Sequence, residues 1–459
     1  MKQYDLIVIG AGPGGYVAAL RAAKLGASVA VVEDREPGGT CLNRGCIPTK
    51  AMLHSSQIYH DIRCGGPCGV RAENVSIDME ALMARTREIT AKLSAGVEAL
   101  LKAAKVDLFR GKGVITAPGA VQVTGEQEAT LTADRILAAT GSVPARPPIP
   151  GLELPGVLTS DDLLRSAQLY DSLIIMGGGV IGVEFATFYN DLGCKVTILE
   201  GLDRLLPTMD RELGQNLGLI MKRRGAEVVL NAMVQSVEQA EEGLRVNYDQ
   251  KGKAGSVTGR AVLCAIGRKP YLDGLFGPGL APEMDGPRLK VGADFQTSIP
   301  GVYAIGDVSS KIQLAHVASA QGTACAEALF GGPEQRDLSL VPGCVYCRPE
   351  IAAVGMTEAE AKEAGIPVKT GKGLLSSNAR NLIIDGDRSF IKLVAHAESG
   401  ELLGAHLMCE RSSDMISELA QAIANHLTAD QLLRAMRPHP TFEESVSDAL
   451  LDLRSKLRA

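Results

Sequence analysis

Cys41 and Cys46 stand five positions apart in Gly38-Gly-Thr-Cys-Leu-Asn-Arg-Gly-Cys-Ile-Pro-Thr-Lys50, a spacing that lets both sulfurs join in one disulfide without moving the surrounding chain. Gly45 frees the intervening backbone to turn tightly. Pro48 and the apolar-periodic run behind it predict a helix that starts just after Cys46. A thiol at a helix N-terminus meets the positive end of the peptide dipoles, which favours its thiolate. Two sulfurs in unlike surroundings make a redox-active dithiol. The competing reading is an ordinary stabilising disulfide, and the C-x4-C spacing alone does not separate the two. The flanking glycines and Lys50 favour the redox role.

A second constellation, His439-Pro-Thr-Phe-Glu-Glu444, lies close to the end of the chain. Prolines on both sides fix the backbone at His439. Thiol–disulfide exchange needs a group that takes a proton from an incoming thiol and later returns it, and imidazole does this near neutral pH. Glu444 can hold the ring in one tautomer and stabilise its protonated form. Thr441 and Glu444 also have the spacing of a capping box, so Glu444 has a purely structural alternative before the apolar-periodic stretch Val446 to Leu453. Glu443 is a possible substitute for it.

The dithiol needs an electron acceptor, and the elements around it supply one. An apolar run from Tyr4 to Ile9 leads into Gly10-Ala-Gly12-Pro-Gly-Gly15, then a helical pattern to Leu25 and a second apolar run, Ser28 to Val32, that ends in Glu33. The unit recurs: Leu173 to Met176 enters Gly177-Gly-Gly179-Val-Ile-Gly182, a helix follows to about Leu192, and Val196 to Leu199 ends in Glu200. In both copies the acid stands 23 residues after the first glycine. This is the dinucleotide-binding βαβ unit, whose glycines bring a pyrophosphate onto a helix N-terminus while the acid receives ribose hydroxyls. Two dinucleotides are implied. Glu200 repels a 2′-phosphate, so the second site should prefer NAD to NADP. Arg204 reads as structural or solvated rather than as a phosphate ligand. The first site, just upstream of the dithiol, fits a tightly held FAD. Ala139-Thr140-Gly141-Ser142 and Ala265-Ile-Gly267-Arg268 both look like strand ends turning over a nucleotide. Gly306-Asp307, after Val302 to Ile305, offers a carboxylate to ribityl hydroxyls. Each of these three, by itself, reads first as an ordinary strand-to-loop glycine.

At 459 residues, 46% hydrophobic and 22% charged, the chain is globular and long enough for about three domains. A net charge of −6 gives no reason to expect nucleic acid or an anionic membrane as partner. The apolar stretches are broken by glycines and charges such as Arg21 and Glu184, so no membrane span is expected. The first apolar run already belongs to the glycine motif and does not read as a signal peptide. A cytoplasmic protein is expected, and in a reducing compartment a disulfide is more readily catalytic than structural. Cys344-Val-Tyr-Cys347 has C-x-x-C spacing, and Cys64 with Cys68 forms C-x3-C in a glycine-rich loop. Neither has the second pair that zinc needs, so no metal is expected; Cys344 and Cys347 should sit on a strand. The stretch from Ile77 to Ala104 reads as a long helical arm packed on the first domain.

From end to end the chain resembles the dihydrolipoamide dehydrogenase group of the pyridine nucleotide–disulfide oxidoreductases. Gly38 to Lys50, the paired glycine motifs, Gly306-Asp307, Leu314-Ala315-His316 and His439-Pro-Thr441 occur in that family's order and spacing. The resemblance implies an α/β fold: two Rossmann-like domains, for FAD and NAD, plus an α+β C-terminal dimerisation domain. The expected boundaries are 1–142 for FAD, 143–269 for NAD, 270–337 for a central segment completing the FAD side, and 338–459 for the interface domain. It implies FAD-dependent oxidation of protein-bound dihydrolipoamide with reduction of NAD⁺, in a homodimer served by a lipoyl-bearing carrier protein of a multienzyme complex. His439 and Glu444 would act on the dithiol of the other subunit. Cys46 would be the flavin-side sulfur and Cys41 the one that exchanges with substrate, with Lys50 near the flavin and paired with Glu184. Thr40 and Gly113 complete the cofactor-facing positions. The chain departs from many relatives at Arg44, Gln321 and Arg437. It shows no fused lipoyl domain, so a lipoyl substrate is expected on another protein, and no C-terminal cysteine pair or heavy-metal motif, which argues against mercuric reductase. Glu200 fits glutathione reductase less well. The alternatives are an NAD(P)H-dependent reductase of another small disulfide, or a flavoprotein assembly subunit whose dithiol is idle.

Overall fold

Lys2–Ile9 lies at the centre of the first of three large sheets in the computed structural model, which describes residues 2–333 and 337–459. It pairs in parallel with Val29–Glu33 on one side, Ile7 opposite Ala30, and with Ala129–Ala138 on the other, Ile7 opposite Ile136. Leu6, Ile7 and Val8 are fully buried, because helices cover one face and further chain the other; this is why the strand reads as an unbroken apolar run. Helices α1 (Pro13–Lys24), α2 (Gly39–Arg44), α3 (Cys46–Cys64) and α4 (Met79–Ala103) belong to this layer. The arm predicted over 77–104 is α4, started by Asp78, whose carboxylate accepts from the Ala81 N–H at 2.9 Å.

The second sheet repeats the plan with five parallel strands in the order Glu227–Leu230, Lys195–Glu200, Ser172–Met176, Ala261–Cys264 and Val157–Leu158. Its helices are α5 (Ser160–Leu163), α6 (Val180–Asp191) and α7 (Arg211–Arg223). An antiparallel trio, Ala232–Ala240, Gly243–Gln250 and Lys253–Gly259, is inserted before the last strand of the repeat, an excursion that the spacing of the motifs did not announce. The chain then returns to the first sheet. Val302–Ala304 pairs with Ala129–Ala138, and α8 (Ala315–Phe330) packs along α1, where Arg21 and Glu327 form an ion pair.

The third sheet is antiparallel, in the order Gly343–Val345, Ile351–Gly355, Leu402–Met408, Phe390–His396, Val368–Leu374. The helices Ser412–Ala424 and Glu444–Leu457 pack against it. The second of them lies unusually close to the strand Val368–Leu374. A Cβ at Gly371 would fall 2.2 Å from the Ala449 carbonyl oxygen, and one at Gly373 would fall 2.3 Å from that of Ser445. That close approach sets the height of Glu444 at the first turn of the helix. A buried Lys392 joins this sheet to α7, its ammonium 3.0 Å from Asp210 and 3.1 Å from Glu212. Among the described residues no helix is long and apolar enough to cross a membrane.

Candidate active site

The two glycine motifs build the same object twice. Each helix begins without a side-chain cap, α1 after Gly12 and α6 after Gly179, and neither carries an acid in its first turn. The first amides of both helices are therefore open to an anion. The third glycine of each motif seats the helix on its strand: a Cβ at Gly15 would fall 1.8 Å from the Gly10 carbonyl oxygen, and one at Gly182 would fall 2.0 Å from that of Gly177. The acids match as well. Glu33 accepts from the N–H of Ala11 at 2.6 Å and of Arg35 at 2.9 Å; Glu200 accepts from Gly178 at 2.6 Å and Leu202 at 2.8 Å. Each carboxylate is thus aimed by two backbone donors and keeps lone pairs for ribose hydroxyls. Burial pushes the Glu33 carboxyl above its ordinary value, against the pull of those two amides.

Both cradles open on one cavity of about 1260 Å³. It is lined by Gly10, Gly12, Glu33, Thr40, Gly113, Thr140, Gly141 and Ser142 from the first unit, and by Gly177, Gly179, Glu184, Glu200 and Gly267 from the second. Asp307, Leu314, Ala315 and His316 line it too, together with Cys41, Cys46 and Lys50. Gly15 and Gly182 do not; they act through packing. Two uncapped helix ends, two buried ribose-facing acids and one continuous cavity fit two dinucleotides meeting end to end.

The expected loop between the cysteines is in fact the short helix α2, which ends at Gly45, and α3 begins at Cys46 itself. Both cysteines are free thiols, and the Cys41 thiol donates to the Cys46 sulfur. Their acidities separate accordingly. That hydrogen bond, opposed by burial and aided by the Lys50 cation, lowers the Cys46 thiol to about 7, while Glu184 works the other way. The same hydrogen bond, reinforced by burial, drives the Cys41 thiol strongly upward. Lys50 donates to both oxygens of Glu184, at 2.9 and 2.8 Å, so the pair expected from the resemblance meets in the structure. Burial disfavours the Lys50 charge, but Glu184 outweighs it and the net shift is upward.

Beside the dithiol, Ser142 donates to Asp307 at 2.5 Å, and Arg268 donates to the Ser142 hydroxyl at 2.8 Å and to its carbonyl at 2.7 Å. Arg268 stood in a quoted motif without a role; the fold makes it the bridge from the second unit to Asp307. Gln321 accepts from the Gly306 N–H at 2.8 Å, which ties α8 to the Gly306-Asp307 turn. Arg44 is buried and paired with Glu36. Arg204 is occupied by Asp203 and the Pro207 carbonyl, a structural role. Cys344 lies on its expected strand and lines the cavity, but Cys347 falls beyond the strand end, where its thiol donates to the Pro349 carbonyl at 3.1 Å. Cys64 closes α3 and is exposed, as is Cys68, so the glycine-rich loop starts after the first of the pair.

His439 and Glu444 meet each other but not the cavity of their own chain. The His439 Nδ1 is 2.8 Å from Glu444 Oε1, and its side chain is 73% exposed. The other Glu444 oxygen accepts from the Thr441 N–H at 2.9 Å. The expected capping box does not form: the Thr441 hydroxyl donates to the Pro438 carbonyl, and the helix starts at Glu444, before the predicted Val446 and with Glu443 as its N-cap. Thr441 first, and His439 after it, hold the Glu444 carboxyl below its ordinary value. Glu444 therefore orients the imidazole and ties down the Thr441 amide, while the helix itself starts after Glu443 with no side-chain cap. Tyr346, in contact with Lys50 and Glu184, had no signal in the sequence beyond its place between two cysteines.

Comparison with known proteins agrees with this geometry. Residues 4–322 match the pyridine nucleotide-disulphide oxidoreductase family, and residues 341–450 match its dimerisation domain. The chain is 37% identical over 464 residues to a dihydrolipoyl dehydrogenase of Bacillus subtilis, covering 98% of each. It is 37% identical to that of Geobacillus stearothermophilus, covering 97% of this chain and 95% of the relative. Among solved structures, LpdA of Mycobacterium tuberculosis superposes with a TM-score of 0.88 at 28% identity, over 98% of this chain and 99% of that one. The HOCl-induced flavoprotein disulfide reductase RclA of Escherichia coli, as its Cu(II) complex, does so with a TM-score of 0.87 at 28% identity, over 98% and 99%. With both cradles, the dithiol and the dimerisation domain in place, the chain belongs to the pyridine nucleotide-disulphide oxidoreductases and forms the homodimer of that family.

Proposed function

We propose that this protein oxidises dihydrolipoamide carried on a partner protein and delivers the electron pair to NAD⁺, releasing lipoamide, NADH and a proton. The observation that carries the reading is a dithiol with one sulfur poised as thiolate, set where two dinucleotide cradles meet in a single cavity. Full-length similarity to dihydrolipoyl dehydrogenases supports the choice of substrate.

In the oxidised enzyme Cys41 and Cys46 share a disulfide. A substrate thiol gives its proton to the partner subunit's His439 and attacks Cys41; the Cys41–Cys46 bond breaks and Cys46 leaves as thiolate. Its greater acidity, with the thiol lowered to about 7, makes it the better leaving group of the two. The second substrate thiol then attacks the mixed disulfide, closing the lipoyl ring and releasing Cys41, which takes the first proton from His439; the second thiol's proton passes to the freed imidazole and from there to solvent, as the proton released in the overall reaction. Glu444 holds the imidazole and stabilises its charge through this cycle. Gly10, Gly12, Glu33 and Asp307 would hold FAD, which would supply the acceptor for the dithiol's electron pair and the source of hydride for NAD⁺. Gly177, Gly179 and Glu200 hold NAD⁺, and the Glu200 carboxylate repels a 2′-phosphate. Lys50, fixed by Glu184, keeps a cation one helical turn from Cys46. The carrier is a lipoyl domain or lipoyl-bearing protein of a multienzyme complex, and the reaction belongs in the cytoplasm.

RclA, a disulfide reductase of nearly the same fold, supports a second reading: reduction of another small disulfide by NADH or NADPH. Steady-state rates with free dihydrolipoamide and NAD⁺, against glutathione disulfide with NADH and with NADPH, separate the two. Preferred turnover of dihydrolipoamide with NAD⁺ is expected. Preference for glutathione disulfide would replace this reading, and no turnover of any disulfide would leave an assembly subunit with an idle dithiol.

A further inference from the structure

The segment between the strands Gly343–Val345 and Ile351–Gly355 belongs to the third sheet, yet it grips the two helices that frame the dithiol. It does so at two points. The Tyr346 N–H donates to Glu184 Oε1 at 3.1 Å, and the Tyr346 ring lies against the Lys50 ammonium, 4.6 Å from nitrogen to ring centroid. Arg348 donates to Asp61 at 2.7 Å and stands 3.5 Å from Asp191. Lys50 and Asp61 are on α3, and Glu184 and Asp191 are on α6. Each grip therefore takes one residue from each helix. The spacings, about three turns along α3 and about two along α6, put each helix's pair on one face.

The first grip matters for chemistry. Glu184 is 4% exposed, and its carboxylate accepts two N–H groups from Lys50 and one from Tyr346. A buried carboxylate with three donors has little freedom to turn. The aromatic face adds attraction for the ammonium and stands between it and water on a side chain that is otherwise 30% exposed. Lys50 follows Cys46 by four residues on α3, so its ammonium sits over the turn that carries that sulfur.

We propose that Tyr346 is a positioning residue, which holds the Lys50 ammonium beside Cys46 with its ring and, through its backbone N–H, by way of Glu184. The third sheet thereby takes part in setting the electrostatics of the dithiol. This inference rests on the redox reading above. The groups that face Cys46 are Cys41 from α2, Lys50 from its own helix, Glu184 from α6 and Arg268 from the second unit. Of these, replacing the Tyr346 side chain acts on Lys50, which loses the ring but keeps Glu184.

The test uses the FAD-loaded dimer, reduced anaerobically with one equivalent of NADH, and follows the long-wavelength thiolate–flavin absorption against pH. Tyr346→Leu keeps the backbone N–H but removes the ring; its midpoint should rise by roughly half a pH unit, and Tyr346→Phe should restore the wild-type value. Arg348→Met loosens the second grip only and should leave the midpoint in place. Should Leu cost the protein its FAD, Tyr346→Met carries the same expectation. An unchanged midpoint without the ring, an equal shift in the Phe variant, or an equal shift on loosening Arg348 would overturn the proposal. A wild-type enzyme with no such band would remove the redox reading itself, and this inference with it.

Discussion

In Cys46 the sulfur accepts the hydrogen bond that Cys41 donates, and Lys50 adds a cation one turn away, so this thiol ionises near pH about 7 while Cys41 stays protonated. The shift is downward from an ordinary value of 9.0, which puts the thiolate above the midpoint and the thiol below it. The thiolate–flavin band of the two-electron-reduced enzyme should therefore fade as pH falls through about 7. In Cys41→Ser a thiolate at Cys46 should persist, and in Cys46→Ser the band should be absent at every pH. A band that survives in Cys46→Ser would reverse the assignment of the two sulfurs. The dithiol and the direction of its asymmetry were legible in the sequence, from the helix start at Cys46. The donor of the decisive hydrogen bond was not, because it depends on how α2 turns into α3. Arg44, between the cysteines, looked able to disturb them. The fold commits its guanidinium to Glu36 instead.

At the scale of elements, local signals located the helices and the tertiary structure set their heights. The apolar spacing of Val446 to Leu453 is enough to predict a helix near the C-terminus. Nothing in that spacing says that it lies against Gly371 and Gly373, with no room for a Cβ at either. Gly373→Ala must push the first turn of the helix away from the strand, and with it Glu444. We expect a loss of about 1–3 kcal/mol in stability, read as a lower melting temperature. Turnover of dihydrolipoamide should fall further than NADH oxidation by an artificial acceptor, which needs neither His439 nor Glu444. An equal fall in both activities would mean that the glycine serves only the fold.

At the scale of the whole molecule, one chain holds a dithiol without a base and a base without a dithiol. His439 is exposed and absent from the cavity that holds Cys41, so the function proposed above requires the dimer to unite them. Mixed dimers test this directly. Cys41→Ser and His439→Gln homodimers should each be nearly inactive toward dihydrolipoamide. Reassembly of a one-to-one mixture should recover roughly a quarter of wild-type activity, since half the dimers are mixed and each mixed dimer keeps one complete site. A site built within one chain predicts no recovery at all.

The sequence by itself determined the two dinucleotide cradles, the dithiol and the His439–Glu444 pair. Each is confined to a short stretch of chain, where backbone geometry and helix polarity act on neighbouring residues. The hydrogen bonds of Glu33 and Glu200 follow from the equal spacing of the two repeats. Only the tertiary structure decided which distant side chains meet. Lys50 and Glu184 are 134 residues apart, Ser142 and Asp307 are 165 apart, and Tyr346 reaches Glu184 across 162. Periodicity tells which face of an element is buried, but it carries no information on what that face is buried against. Those pairings follow from how the sheets stack and how the strand order returns the chain to its first sheet, and they turn a reactive pair of cysteines into a relay.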